Sequence, residues 1–125
     1  MDYKLELIIL PVTDVDRAKE FYLKVGFNAD HDHTVSDEIR FVQMTPAGSA
    51  CSIAFGRGLT AAEPGTVKGL QAVVSDIDEA YADLTSRGVP VSEIDDQVWG
   101  RFVYFSDPDG NHWAIQEIKR VLPGA

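Results

Sequence analysis

Two stretches of the chain repeat the same order of hydrophobic and polar positions. Each begins with an apolar run, LELIILPV at 5–12 and GLQAVV at 69–74, and continues into a segment with apolar residues at helical spacing. Each closes with two strand-like runs joined by a Pro-x-Gly turn, in which proline presets φ and glycine accepts a positive φ. The pattern predicts two tandem βαβββ modules and therefore an α+β fold.

The two stretches also match when the chain is displaced on itself by 62 positions. An aspartate precedes each predicted helix, and its carboxylate can accept hydrogen bonds from the free backbone amides of the first turn. A glycine follows each helix, where a left-handed residue costs little. A short strand is then predicted around 27–34 and again around 89–94. The matching pairs include Val12 with Val74, Asp14 with Asp76, Gly26 with Gly88, Pro46 with Pro108 and Gly48 with Gly110.

The length of 125 residues predicts a single domain spanning 1–125. Module one covers about 3–56 and module two covers 69–120. The segment 57–68 between them contains proline and glycine and lacks periodicity, which is typical of a linker.

Charge and hydropathy exclude several classes of protein. A net charge of −9 disfavours nucleic acid and anionic membranes as partners, because both attract basic surfaces. No apolar run reaches the ~18 residues needed to span a bilayer, so we expect a cytoplasmic protein without a membrane partner. The single cysteine excludes an internal disulfide framework.

The repeated motif V-x-D-x-D-x-A after an apolar strand, together with the closing DPDGN at 107–111, resembles the vicinal oxygen chelate superfamily. This superfamily includes glyoxalase I, extradiol dioxygenases, and fosfomycin- and bleomycin-resistance proteins. The resemblance covers essentially the whole chain. It implies that the sheets of the two modules curve into an incomplete barrel around a cavity. It does not imply one reaction, because the fold hosts many chemistries.

The resemblance also implies four positions at which metal-dependent members carry His, Glu or Gln. One is seven residues before the motif aspartate of each module, and the other lies on the last strand of each module. In this chain the four positions hold Leu7, Ser52, Gly69 and Ala114. These side chains offer one neutral hydroxyl where a catalytic metal needs about three protein ligands. We therefore expect no metal and no cofactor, and the sequence leaves open whether the protein is an enzyme.

Strand alternation in the family's orientation gives a set of residues facing the cavity. Most are apolar or aromatic with a few polar groups, which is typical of a small-molecule pocket. Phe102 and Tyr104 can stack on a flat ligand or serve as core residues. Arg40 can pair with an anionic group or remain a solvated charge, and His112 can be merely exposed. The predicted ligand-binding residues are Leu7, Ile9, Arg40, Val42, Ser52, Gln71, Phe102, Tyr104, His112, Ala114 and Gln116.

Three functional hypotheses follow from these residues and the resemblance. The first is a metal-independent protein that binds a drug or metabolite, similar to the bleomycin-resistance branch. The second is a metal-free isomerase, lyase or cyclase using Tyr104 or His112 as acid or base. The third is a metal-dependent glyoxalase or dioxygenase with displaced ligands such as His112 or His31. The sequence His31-Asp32-His33 offers two ligands, and a solvated edge strand accounts for it better than a metal site. A homodimer is also expected from the resemblance.

Overall fold

The computed structural model describes residues 1–119, so the predicted end of module two at residue 120 lies outside the described residues. Each module contributes one helix and four strands. Their order and bounds are β1 (Leu7–Ile9), α1 (Val15–Val25), β2 (Asn28–Thr34), β3 (Arg40–Thr45), β4 (Ser52–Arg57), β5 (Leu70–Val73), α2 (Ile77–Ser86), β6 (Asp95–Gln97), β7 (Gly100–Ser106) and β8 (His112–Ile118). The predicted α+β fold of two βαβββ modules is confirmed.

The described strands form two four-stranded sheets with the same topology. The first has the order β1-β4-β3-β2 and the second has the order β5-β8-β7-β6. In each sheet the first and last strands of the module pair in parallel, and the remaining pairs are antiparallel. Neither sheet closes on itself as a barrel. Within residues 1–119, neither helix is long and apolar enough to cross a bilayer.

Residue contacts divide the chain into two compact units. Unit one comprises 1–67 together with the turn 107–111. Unit two comprises 68–106 and, within the described part of the chain, 112–119. The DPDGN turn that joins β7 to β8 therefore has its contacts in unit one.

Both helices begin at the predicted aspartates. The side chain of Asp14 accepts from the amide of Arg17 at 3.1 Å, and that of Asp76 accepts from the amide of Glu79 at 3.1 Å. Gly26 ends α1 in the left-handed region at φ 109°, as its lack of a Cβ allows. Each helix then buries its apolar residues against one side of its own sheet.

The short strand predicted around 89–94 is wrong. β6 begins later, at Asp95, and 89–94 has no regular structure. Pro90 lies in this segment and has no amide to donate to a ladder. Ser92 contacts β7 outside a regular ladder, since its amide donates to the carbonyl oxygen of Tyr104 at 2.9 Å while its hydroxyl accepts from the amide of Tyr104 at 2.9 Å.

Each unit contains the same three-residue charge cluster on the helix side of its sheet. In unit one, Arg40 donates to Asp16 in the first turn of α1 at 2.8 Å and to Asp32 on β2 at 2.8 Å. In unit two, Arg101 donates to Asp78 in the first turn of α2 at 2.9 Å, and its Nε lies 3.9 Å from Asp96 Oδ2 on β6. The cluster ties the start of the helix to the sheet in both units. It was not anticipated from the sequence, because it depends on which side of β3 carries Arg40.

The DPDGN turn is held by a buried carboxylate. Asp107 retains 4% exposure and Asn111 none. Tyr22 donates its hydroxyl to Asp107 Oδ2 at 2.8 Å, and Asn111 Nδ2 donates to the same oxygen at 2.9 Å. The amides of Asp109 and Asn111 donate to Asp107 Oδ1 at 3.0 and 2.9 Å, and Asn111 Nδ2 also donates to Pro11 O at 2.9 Å. This motif is therefore a structural element of unit one.

Replacing Tyr22 with phenylalanine should lower the free energy of unfolding by about 1–3 kcal/mol, because the buried Asp107 loses a donor that water cannot replace. Urea denaturation of Tyr22→Phe measures the change. Tyr3 is 92% exposed, so Tyr3→Phe is the matched control and should unfold like the wild type. Equal midpoints for all three proteins would show that the hydroxyl contributes nothing.

The ion pairs of Asp32 should make the free energy of unfolding depend on pH in the acid range. The hydrogen bonds from Arg40 and Lys19 hold the pKa of its carboxyl well below the usual 3.8. A depressed folded-state pKa contributes stability that is present above the unfolded-state pKa and is lost as pH falls below it. Asp32→Asn should therefore flatten the loss of stability below about pH 4, measured by urea denaturation across the acid range. Asp37→Asn, at an exposed position, should retain the wild-type acid slope, and an unchanged slope in Asp32→Asn would contradict the assignment.

Candidate functional site: one face of the second sheet

One side of the second sheet packs beneath α2, and the other carries the aromatic and polar residues. Beneath the helix, Val103, Phe105, Trp113 and Ile115 are all buried, as strand alternation predicted. The pairing of the strands decides which residues share the opposite side. Tyr104 pairs with Ala114, Phe102 with Gln116, Ser106 with His112, and Ala114 also with Gln71 on β5. We call this side the aromatic face, made up of Gln71, Val73, Asp95, Phe102, Tyr104, His112, Ala114 and Gln116.

Three rings form a row along the aromatic face. The centroids of Phe102 and Tyr104 are 6.0 Å apart with planes 8° from parallel. Those of Tyr104 and His112 are 5.8 Å apart at 20°. Phe102 is only 7% exposed, so it packs against Tyr104 and contributes little accessible surface to the row. Tyr104 and His112 are half-buried, and they present accessible ring surface.

Ala114 lies at the centre of the aromatic face and leaves room there. Its cross-strand neighbours are Tyr104 on one side and Gln71 on the other. Along β8 the next residues on the same side are His112 and Gln116. Because a single methyl group stands among four longer side chains, we infer a shallow depression over Ala114 from the strand register and the side-chain lengths. Its lining combines ring surface with polar groups, as a small-molecule site requires.

Hydrogen bonds fix the polar side chains around the depression. Tyr104 donates its hydroxyl to Asp95 Oδ2 at 2.7 Å, and Gln71 Nε2 donates to Gln116 Oε1 at 2.5 Å. The hydrogen bond to Asp95, with burial and the charge of Asp95, raises the pKa of the Tyr104 phenol above its ordinary 10.0. Tyr104 is therefore a neutral phenol at physiological pH and a poor general base.

In the first sheet, only some of the residues predicted to face the cavity lie on the same side. Leu7 pairs with Ser52 and Ile9 pairs with Ala54, so Leu7, Ile9 and Ser52 share one side as predicted. Val42 instead pairs with Phe55, which alternates with Ala54 along β4 and contacts Tyr22 of α1. The placement of Arg40 and Val42 on the side of Ser52 is therefore wrong. Val42 is fully buried on the helix side, and Arg40 is engaged by Asp16 and Asp32.

The wrong placement of Arg40 and Val42 follows from the different lengths of the two hairpin connections. The β3–β4 connection holds six residues, 46–51, whereas the β7–β8 connection holds five, 107–111. When residues of the two hairpins are matched at a constant spacing of 62, β3 is placed one residue out of register. A shift of one residue turns every side chain of a strand to the opposite side of the sheet. Gln43 and Thr45 take the positions that the prediction gave to Val42 and Met44. Gln43 Nε2 donates to Ser52 Oγ at 3.3 Å, and the hydroxyls of Thr45 and Ser52 are 2.6 Å apart.

The four positions implied for a metal do not fit one. Leu7 and Ala114 have no donor atom, and Ser52 Oγ is hydrogen-bonded to the Thr45 hydroxyl and accepts from Gln43 Nε2. Gly69 precedes β5, so that Ala114 pairs with Gln71 instead. Across residues 1–119, no three His, Cys, Asp or Glu side chains are grouped to hold a metal ion.

The sequence His31-Asp32-His33 is divided between the two sides of its strand. His31 and His33 lie on one side of β2 with ring centroids 5.8 Å apart. Asp32 points to the other side, where it binds Arg40 and Lys19. These three side chains therefore do not point toward one metal ion.

An open groove of about 400 Å³ lies elsewhere in unit two, beside the start of α2. It is lined by Val74, Ser75, Asp76, Glu79, Ala80 and Asp83 and shares no residue with the aromatic face. It has no ring surface, and Asp76 there already caps α2. We therefore assign the candidate site to the aromatic face.

Two βαβββ modules in tandem are the fold of glyoxalase-like proteins. Residues 4–115 match the family described as the Glyoxalase/Bleomycin resistance protein/Dioxygenase superfamily, and the chain belongs to that family. The resemblance drawn from the sequence motifs is confirmed.

Several relatives extend this comparison. The chain is similar to TnmS3, an antibiotic binding protein from Streptomyces sp. CB03234, with 33% identity, a TM-score of 0.83 and coverage of 94% of this chain and 98% of that one. It is similar to a superfamily member from Sphaerobacter thermophilus DSM 20745, with 31% identity, a TM-score of 0.79 and coverage of 92% and 97%. It is also 28% identical to the uncharacterized protein YetH of Bacillus subtilis (strain 168), over 85% of this chain and 91% of that one.

Asp95 should control the titration of Tyr104. Asp95→Asn removes the negative charge and the carboxylate acceptor, so the pKa of the Tyr104 phenol should fall toward 10.0. Ultraviolet titration of phenolate absorbance, with the spectrum of Tyr104→Phe subtracted, isolates this group. Asp30→Asn, which alters a carboxylate of unit one, should leave the titration of Tyr104 unchanged. An identical titration in Asp95→Asn would remove Asp95 as the cause.

Proposed function

We propose that this protein binds a planar aromatic small molecule on the aromatic face, without a metal and without chemical conversion. The observation that carries this proposal is the position of Ala114, paired with Tyr104 and Gln71 and next to the stacked rings of Tyr104 and His112. Offset or edge contacts with such rings contribute about 0.5–1.5 kcal/mol each beyond burial. The similarity to an antibiotic binding protein supports the same assignment.

The polar groups around the depression favour a ligand that is cationic or rich in hydrogen-bond donors. Asp95 supplies a carboxylate, and Tyr104 directs its proton to Asp95, so the phenol oxygen offers a lone pair to a ligand. The net charge of −9 further favours a cation at long range. The chemistry of the face therefore points to a flat ring system bearing an amine or several hydroxyl groups.

The enzymatic alternatives receive less support. Of the roles in an isomerase, lyase or cyclase that uses Tyr104 or His112 as acid or base, that of Tyr104 as base is disfavoured, because hydrogen bonding to Asp95 raises the pKa of its phenol. A metal-dependent glyoxalase or dioxygenase with displaced ligands such as His112 or His31 needs about three grouped ligands, and residues 1–119 hold no such group of His, Cys, Asp or Glu. Binding by sequestration requires only the shape and the polar groups of the aromatic face.

The remaining predictions concern the setting of this activity. The single domain of 1–125, the homodimer, the cytoplasmic location and the absence of a nucleic acid partner stay predictions. Native mass spectrometry of the untagged protein reports subunit count, retained metal and any co-purified organic molecule in one spectrum. A stoichiometric metal that survives mild chelation would contradict the metal-free proposal.

Three tricyclic probes of matched shape test the ligand class. We expect 9-aminoacridine, a cation at neutral pH, to bind more tightly than neutral acridine and far more tightly than anthracene-9-carboxylate. Ala114→Leu should fill the depression and weaken binding of 9-aminoacridine at least about tenfold, which corresponds to ~1.4 kcal/mol. Isothermal titration calorimetry measures each dissociation constant.

Ala82→Leu is the matched control, because it adds the same side chain at an exposed position of α2. It should bind 9-aminoacridine like the wild type. If the anion binds best, the charge assignment is wrong. If Ala114→Leu folds normally and retains full affinity, the ligand site is not over Ala114.

A further inference from the structure

His31 and His33 stand next to each other on the side of the first sheet that faces away from α1. His31 pairs with Gln43, whose side chain reaches Ser52 on that side. The two ring centroids are 5.8 Å apart, and the ring planes lie 22° from parallel. β2 is an edge strand that pairs only with β3, and all seven of its residues are exposed. Both imidazoles are therefore accessible from solvent.

The ion pairs of Asp32 hold the two rings on this side. Asp32 lies between the histidines and points to the helix side, where Arg40 Nη2 donates to it at 2.8 Å and Lys19 Nζ at 2.9 Å. These contacts anchor β2 to β3 and α1. Because side chains alternate along a strand, the anchor directs His31 and His33 away from the helix. The pair is thus oriented by the fold and does not depend on contact between the rings alone.

The nitrogen atoms of both rings are available to a new partner. Within residues 1–119, neither ring takes part in a hydrogen bond or an ion pair. The third histidine of the chain differs, because His112 Nδ1 lies 3.3 Å from Ser106 Oγ and its ring stacks on Tyr104. Neutral imidazole is the commonest metal ligand among protein side chains. An unengaged pair of imidazoles on one side of a strand is therefore suited to a metal ion.

The spacing of the rings allows one ion to bind both. Zinc–nitrogen bonds are about 2.0–2.1 Å long, so two imidazoles on one ion place their ring centroids at most about 6.5 Å apart. The observed 5.8 Å lies within that limit. Asp30, the unpaired bulge residue before His31, and the net charge of −9 add a negative potential that favours a cation. Imidazole suits Zn²⁺, Cu²⁺ and Ni²⁺, whereas Mg²⁺ and Ca²⁺ prefer oxygen ligands.

We propose that His31 and His33 together bind one divalent transition metal ion, with water filling its remaining positions. This two-histidine site lies in unit one. It shares no residue with the aromatic face or with the four positions implied for a catalytic metal. Two protein ligands hold a metal less firmly than the closed four-ligand sites of structural zinc, so mild chelation should remove the ion. The site is therefore compatible with metal-free binding of a small molecule in unit two.

Imidazole nitrogen NMR of the untagged, metal-stripped protein during a Zn²⁺ titration tests this proposal. The chain has three histidines, and the spectra of His31→Asn and His33→Asn assign the pair. Both ring signals should shift together and saturate with one dissociation constant, while that of His112 moves little. Each variant should weaken Zn²⁺ binding at least about tenfold, because it removes one of two ligands. Mg²⁺ should shift neither ring.

Asp37→Asn is the matched control, because it removes an exposed charge from the β2–β3 connection and leaves both histidines in place. It should bind Zn²⁺ like the wild type. If only one ring responds to Zn²⁺, or neither does, the pair is not a metal site. Equal loss of affinity in Asp37→Asn and His31→Asn would assign the attraction to general negative charge and overturn the proposal. Both histidines are exposed, so the variants should keep the wild-type urea midpoint, which separates lost affinity from unfolding.

Discussion

The buried carboxylate of Asp107 is the constraint on which the aromatic face depends. β7 ends one residue before it, and β8 begins directly after Asn111, so the turn between them sets the register of both strands. Four hydrogen bonds reach the two oxygens of Asp107, from Tyr22, Asn111 and two backbone amides. Because register decides which residues stand opposite each other, this turn places Tyr104 beside Ala114 and Ser106 beside His112.

The same register explains the effect of a small residue at position 114. A longer side chain there would meet Tyr104 and Gln71 from both neighbouring strands and fill the centre of the face. A carboxylate at 114 would also add a second negative charge to the aromatic face, which already carries Asp95. The loss of a metal ligand and the gain of a depression are thus two consequences of one small residue.

Much of the fold could be predicted because its determinants are local. Asp14 and Asp76 cap their helices, and the period-two pattern of β7 and β8 correctly separated the helix side from the open side. The failures share a different cause. Arg40 and Val42 were assigned to the wrong side because one hairpin connection is one residue longer, and Asp95 was missed because Pro90 and Ser92 delay the start of β6. Each depends on pairing between strands, which composition and periodicity within one strand do not report.

The six-residue connection between β3 and β4 fixes which side chains of β3 lie beneath α1. Removing one residue from it and sliding β3 to match would bring Arg40, Val42 and Met44 out from beneath α1 and turn Phe41 and Gln43 inward. The charge cluster of Arg40 with Asp16 and Asp32 would be lost in the same step. A substitution in the first sheet changes one side chain at a time, whereas a change of one residue in the length of this hairpin exchanges every side chain of β3 between the two sides of the sheet.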